Sequence, residues 1–123
     1  MKQQKSRLTY SVAAVGWTLF MLTILLISPD RVGVPKQELL PGLDKVVHFF
    51  LFAILAFLTI RAIDERGQKI KSWLLLALLS LLAAMTEVLQ HFQESRRADI
   101  WDMMADVLGI AAILIWYSSR SKK

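Results

Sequence analysis

Four long apolar runs, separated by short polar segments, dominate the chain. They cover about residues 8–28, 45–62, 73–92 and 99–117. A helix rises about 1.5 Å per residue, so roughly 20 residues cross the ~30 Å hydrocarbon core of a bilayer. The pattern therefore predicts an all-α protein, a bundle of four transmembrane helices.

The polar segments between the runs are predicted to lie outside the hydrocarbon. Residues 28–44 contain all three prolines and two of the five glycines, a composition that ends helices. Residues 61–71 and 93–97 are short and rich in charge.

A basic start before the first run is also typical of a signal peptide. No A-x-A cleavage pattern follows the run, so we predict a retained span.

Composition narrows the class of protein. With 123 residues, 55% of them hydrophobic, the chain has no room for a soluble catalytic domain beside four spans, so we predict a single membrane domain over residues 1–123. The net charge of +5 lies in short clusters between the runs, which argues against a nucleic-acid partner. The absence of cysteine excludes disulfides and thiolate metal sites.

The distribution of Lys and Arg predicts the orientation of the bundle. Ten of these residues fall on the side that holds both termini and the turn after the second run, against five on the other side. Because cytoplasmic segments carry the excess of basic residues, we predict that both termini lie in the cytoplasm. The predicted location is the cytoplasmic membrane of the cell, crossed several times.

Ionisable residues gather at the predicted outer end of the second, third and fourth runs. Within each run they are three or four residues apart, which places each set on one helical face. A charge inside a bilayer costs about 2.5–3.5 kcal/mol on insertion scales, so these faces are expected to turn inward and to meet. The predicted pocket has nine residues: Asp44, Lys45, His48, Glu87, Gln90, Arg97, Asp99, Asp102 and Asp106.

Two interpretations of these residues remain open. The shallower charges are also typical of interfacial anchors: Asp44, Lys45, Glu94 and Arg96. The deeper residues are the functional candidates, because ionisable groups are costly inside a membrane and usually occur there at functional sites. Gly109, one turn after Asp106, is predicted to let a neighbouring helix approach closely.

Three ordered motifs resemble a known family. They are D-K-x-x-H-F at residues 44–49, E-x-x-Q at 87–90 and R-x-D-x-x-D-x-x-x-D-x-x-G at 97–109. This pattern is similar to the VanZ-like family of small bacterial membrane proteins, named for a teicoplanin-resistance accessory protein. The resemblance spans about residues 8–117 and implies a four-helix membrane domain with a role in the cell envelope. Family members usually carry Asn where this chain has Asp106, which adds a carboxyl group.

The favoured function is binding or modification of a lipid-linked cell-wall precursor, or of a glycopeptide-like ligand, with a contribution to glycopeptide resistance. Lys45 and Arg97 would contact phosphate or carboxylate groups of such a ligand. Asp99 and Asp102 would contact its hydroxyl or amine groups. The other predicted partner is the lipid bilayer itself, and a homo-oligomer is possible.

Two functions of other classes are also compatible with the residues. In an enzyme acting on such a lipid, His48 would be the general acid or base, and Glu87 or Asp102 would orient it. The catalytic candidates are then His48, Glu87 and Asp102. In a small transporter or partner subunit, Glu87 and Asp106 would relay protons.

No metal ligand and no cofactor are assigned from the sequence. His48, Glu87 and Asp102 could together bind a divalent cation, but carboxylate and His side chains close hydrogen bonds more often than they bind ions. The chain contains no HExxH, P-loop or GxSxG signature that would specify a reaction.

The orientation can be tested by reporter fusions. We expect fusions after Ser28 and near Glu94 to report the outside, and fusions at Gly67 and at the C-terminus to report the cytoplasm. An extracytoplasmic C-terminus would move the predicted pocket to the opposite side of the membrane.

Overall fold

The structure is a computed structural model that describes residues 2–27, 42–93 and 99–121. Within these residues the secondary structure is four α-helices: α1 Lys2–Leu26, α2 Leu43–Glu65, α3 Ser72–His91 and α4 Ile100–Ser121. Each is long and apolar enough to cross a membrane. The predicted all-α architecture with four spans is confirmed.

The four helices form a closed bundle. In the described part of the chain, α1 packs on α2, α2 on α4, α4 on α3, and α3 returns to α1. The most extensive contact joins α2 and α4, whereas α2 and α3 touch only lightly across the bundle. The first turns of α2 and α4 meet the last turns of α1 and α3 at one end, called the polar end below.

The helices extend beyond the predicted spans at the end opposite the polar end. α1 already begins at Lys2, α2 continues to Glu65, and α4 continues to Ser121. A helix satisfies its own backbone hydrogen bonds, so it can continue into water with polar side chains. Hydropathy therefore marks the part of each helix that is embedded in the membrane, but not where the helix ends.

A glycine turn ends α2. Gly67 has a φ of 67°, and its N–H donates to the Asp64 carbonyl at 2.8 Å while the Gln68 N–H donates to the Ile63 carbonyl at 3.2 Å. This is the Schellman pattern, in which a left-handed glycine lets the chain satisfy the last carbonyls of a helix. The chain reverses within a few residues and starts α3 at Ser72.

The bundle has an apolar interior and an apolar exterior. Phe52, Met21 and Ile110 are fully buried between the helices. On the outside Leu19 and Ile115 are more than half exposed, as suits side chains that contact lipid tails. Trp73 and Trp101 are exposed near opposite ends of the bundle, as is typical of aromatic residues at the two membrane interfaces.

Trp17, in the middle of α1, is partly buried and packs against the core. Its indole N–H also donates to the Leu51 carbonyl of α2 at 2.9 Å. A partly buried indole gains from such a partner, because an unpaired donor away from water costs free energy. The bond holds α1 against α2 halfway across the membrane.

The closest helix approach is between α2 and α4 at Gly109. A Cβ atom placed on Gly109 would collide with the Phe49 carbonyl oxygen and would lie 3.2 Å from the Ala53 nitrogen. The two backbones are therefore in direct contact at this point, which confirms the role predicted for Gly109. Phe49 is the neighbour of His48 in the chain, so the contact also sets the distance between His48 and α4.

We expect Gly109→Ala to destabilise the bundle by about 1–3 kcal/mol, because overpacking would push α4 away from α2. Gly16→Ala is the matched control, since nothing lies within 4 Å of a Cβ placed on that helical glycine. The control should be neutral or stabilising by up to about 1 kcal/mol. Thermal unfolding in detergent micelles measures both, and equal behaviour of the two variants would contradict the close approach.

Candidate functional site

Polar side chains from three helices converge at the polar end. Within the described residues six polar side chains are buried, and all six lie in this half of the bundle. Four of them form a connected group, called the acid cluster below: His48, Glu87, Asp102 and Asp106. The sequence predicts this convergence from helix faces, and the described geometry brings α2, α3 and α4 together in that way.

Asp99 joins the three helices at the surface of the cluster. Its side chain caps α4, because Oδ1 accepts a hydrogen bond from the Trp101 N–H at 2.9 Å. Its Oδ2 accepts from the Lys45 ammonium of α2 at 2.9 Å. Its own backbone N–H donates to Glu87 Oε2 of α3 at 3.1 Å. One residue at the start of α4 thus contacts both neighbouring helices.

Lys45 is surrounded by carboxylates. The Nζ atom lies 3.2 Å from Asp44 Oδ2, 2.9 Å from Asp99 Oδ2 and 3.0 Å from Asp102 Oδ1. An ammonium has three donors, and each has a carboxylate oxygen to contact. The hydrogen bond from Lys45 lowers the pKa of the Asp99 carboxyl below its usual value, so Asp99 is ionised at neutral pH.

His48 is held deep in the cluster. Its Nδ1 lies 3.0 Å from Oδ1 of Asp106, which is fully buried. A carboxylate accepts hydrogen bonds, so we assign the Nδ1 proton to this bond. The other ring nitrogen, Nε2, then carries the lone pair and lies 3.9 Å from Asp102 Oδ2, beyond hydrogen-bond distance.

Glu87 is anchored by one oxygen only. Oε2 accepts from the Asp99 amide, whereas Oε1 is buried and has no hydrogen-bond partner among the described residues. The partner found is a backbone amide at the start of α4, a kind of contact that a pattern of side chains does not reveal.

Exposure decreases steadily from the surface into the cluster. The exposed fraction of the side chain is 51% for Asp44, 36% for Asp99, 13% for Asp102 and 0% for Asp106. The acid cluster therefore opens to the surface through Asp44, Lys45 and Asp99.

One predicted pocket residue, Gln90, lies apart from the acid cluster, and another is outside the described residues. Gln90 is buried, and its amide donates to the Leu25 carbonyl at the end of α1, at 2.9 Å. It satisfies one of the carbonyls that a helix end leaves unpaired, which is a structural role. Arg97 lies outside the described residues, as do the predicted anchors Glu94 and Arg96.

The atoms of the acid cluster also fit a cation. One ligand atom from each of His48, Glu87 and Asp102 lies within 4.8 Å of the other two. A second group, Asp44, Asp99 and Asp102, meets the same distance criterion, but Lys45 already occupies the space between its carboxylates. Only the first group leaves its centre without a positive charge among the described residues.

Fold and site define a class: a membrane protein of four helices with a buried group of histidine and acids at one end. The VanZ/LLP1 family model matches residues 3–120, so the chain belongs to the VanZ/LLP1 family. Searches of curated proteins and of solved structures gave no significant match. The resemblance carried by the three motifs is thereby confirmed over nearly the whole chain.

We expect Asp106→Leu to destabilise the protein by about 1–3 kcal/mol, because the buried Nδ1–H of His48 would lose its acceptor. Asp106→Asn should keep most of this stability, since the amide oxygen can accept the same hydrogen bond. Thermal unfolding in detergent compares the two variants. An equal loss in both would indicate that the charge of Asp106, and not its hydrogen bond, holds His48.

Proposed function

We propose that this VanZ/LLP1 protein binds a lipid-linked component of the cell envelope in the cytoplasmic membrane, and that the acid cluster receives the polar headgroup. The observation that supports this most is the position of the cluster. It is buried at one end of the bundle, and its outer neighbours Asp44 and Asp99 are partly exposed there. Phe50, Phe92 and Trp101 are exposed apolar side chains at the same end and are proposed to contact the hydrocarbon chain of the ligand.

Charge indicates which headgroup would fit. The described residues at the site include five carboxylates, and the ammonium of Lys45 is shared among three of them. The remaining acceptors favour a ligand that donates hydrogen bonds, such as the hydroxyls of a sugar or an amine. Lys45 is therefore proposed to organise the acids instead of contacting phosphate, and a phosphate of the lipid would be left to Arg97.

The orientation of the site completes the proposal. The excess of Lys and Arg at the other side of the membrane supports an outward-facing polar end, and cell-wall precursors are used on that side. A contribution to glycopeptide resistance belongs to the same proposal, because envelope precursors are what glycopeptides bind and the resemblance is to a family named for teicoplanin resistance. A glycopeptide itself is the alternative ligand.

The proposal is tested by mass spectrometry of lipids that copurify with the protein. Wild-type protein should retain a lipid with a hydroxyl-rich or amine-bearing headgroup, and Glu87→Gln and Asp102→Asn should retain severalfold less. Glu65→Gln is the matched control, because Glu65 pairs with Arg61 at the opposite end of the bundle at 3.0 Å. The control should keep the lipid.

Size-exclusion chromatography and circular dichroism confirm that each variant is folded before its lipids are compared. Identical lipid profiles in wild-type protein, Glu87→Gln and Asp102→Asn would contradict the proposal. Loss of the lipid in Glu65→Gln as well would show that binding follows general stability and not the polar end.

A second candidate, catalysis on the bound lipid, is favoured by the pair formed by His48 and Asp106. A carboxylate that holds Nδ1 leaves Nε2 free to accept or give a proton, the arrangement of a general acid or base. Conversion of the copurified lipid by wild-type protein but not by His48→Ala would identify an enzyme. Binding without conversion would leave the protein in the binding class.

A further inference from the structure

The acid cluster contains an arrangement of ligand atoms that hydrogen bonding does not explain. Glu87 is 6% exposed, and its Oε1 atom is buried without a hydrogen-bond partner among the described residues. Such an oxygen loses its hydration and gains nothing in return, at a cost of about 1–3 kcal/mol or more for a charged group. Asp106 Oδ2 is also buried without a partner among the described residues, so the cluster holds two unpaired carboxyl oxygens that a cation could neutralise.

We propose that His48, Glu87 and Asp102 bind a first-row divalent transition-metal ion, with His48 Nε2 and one oxygen from each carboxylate as its ligands. These atoms come from α2, α3 and α4, and they lie within 4.8 Å of one another. Ligands about 2.0–2.2 Å from a shared ion are themselves about 3 to 3.5 Å apart. Small side-chain rotations close that difference.

The surroundings of each ligand match those of a metal site. Asp106 holds His48 Nδ1 at 3.0 Å, so Nε2 presents its lone pair toward Asp102. A metal-bound histidine typically donates its other N–H to a carboxylate in this way. Oε2 of Glu87 is fixed by the Asp99 amide, and Oδ1 of Asp102 is fixed by Lys45, which leaves one oxygen of each acid for the ion.

The separation of 3.9 Å between His48 Nε2 and Asp102 Oδ2 supports the same conclusion. It is too long for a hydrogen bond, so no proton is shared between the two atoms. In the neutral imidazole with its proton on Nδ1 both atoms are acceptors, and two acceptors that face each other repel. A cation between them converts this repulsion into attraction.

Charge and donor set indicate the kind of ion. Glu87, Asp102 and Asp106 bring three carboxylates into the interior, and the one described cation in contact with them, Lys45, also contacts Asp44 and Asp99. A divalent ion would bring the group near neutrality. One imidazole and two carboxylates suit zinc, manganese or iron(II), and three protein ligands leave a coordination position open.

This inference rests on the proposed function only for the role of the ion. At the site proposed for the headgroup, an open coordination position would bind an oxygen of that group. The ion itself depends on the three ligands and not on the identity of the lipid. It also reverses the expectation from the sequence that these residues close hydrogen bonds with one another.

The test is metal analysis of the full-length protein purified in detergent without chelators. We expect about one zinc, manganese or iron ion per chain, and after removal of that ion Co²⁺ should restore one site with visible d–d absorption. His48→Ala and Glu87→Gln should weaken Co²⁺ binding by more than about 100-fold, and Asp106→Asn by about 10–100-fold. Glu65→Gln should bind Co²⁺ like the wild type.

The wild-type measurement decides the proposal even where a variant does not fold. Wild-type protein without stoichiometric metal, in which Co²⁺ gives no saturable spectrum, would overturn it, and so would unchanged Co²⁺ binding in a folded Glu87→Gln. Failure here is distinguishable from failure of the proposed function. A retained lipid without metal refutes only the metal site, and retained metal without a lipid refutes only the headgroup site.

Discussion

A carboxylate in the interior of a membrane bundle must find its hydrogen-bond donors within the protein, and this constraint organises the polar end. Water is not at hand to solvate the charge, so each buried acid requires a partner from another helix. Asp106 finds His48, Asp102 finds Lys45, and Glu87 finds the backbone amide of Asp99. These three contacts fix α2, α3 and α4 relative to one another.

The tight packing of α2 on α4 follows from the same requirement. His48 and Asp106 are deep, and a hydrogen bond of 3.0 Å between two helices demands that their axes come close. Gly109, three residues after Asp106, allows the α4 backbone to touch the α2 backbone at Phe49. The small residue and the buried polar pair therefore form one unit, since neither the contact nor the bond would form at a wider separation.

The sequence predicts the fold well because hydropathy and helix length are local properties of the chain. It also predicts which faces meet. Within each helix the polar residues are three or four positions apart, so they mark one face, which carries His48 in α2, Glu87 in α3 and Asp102 in α4. It does not predict the individual partners. The capping role of Asp99 and the amide that contacts Glu87 depend on where α4 begins to within one residue, and the bond from Gln90 to α1 depends on how the helix ends align. Those are properties of the packed bundle.

Lys45 has a structural role at the site, because it pairs with the outer carboxylates and leaves the inner ones for a ligand. An isolated lysine beside a membrane interface would be a natural contact for phosphate, yet its three donors are occupied by Asp44, Asp99 and Asp102. Its charge neutralises the outer part of the site and leaves the inner part, around His48 and Glu87, negative. Whatever binds in that inner part must therefore bring positive charge or hydrogen-bond donors. A divalent ion supplies the first and a hydroxyl-bearing headgroup the second, and an ion with an open coordination position would let both occupy the same site.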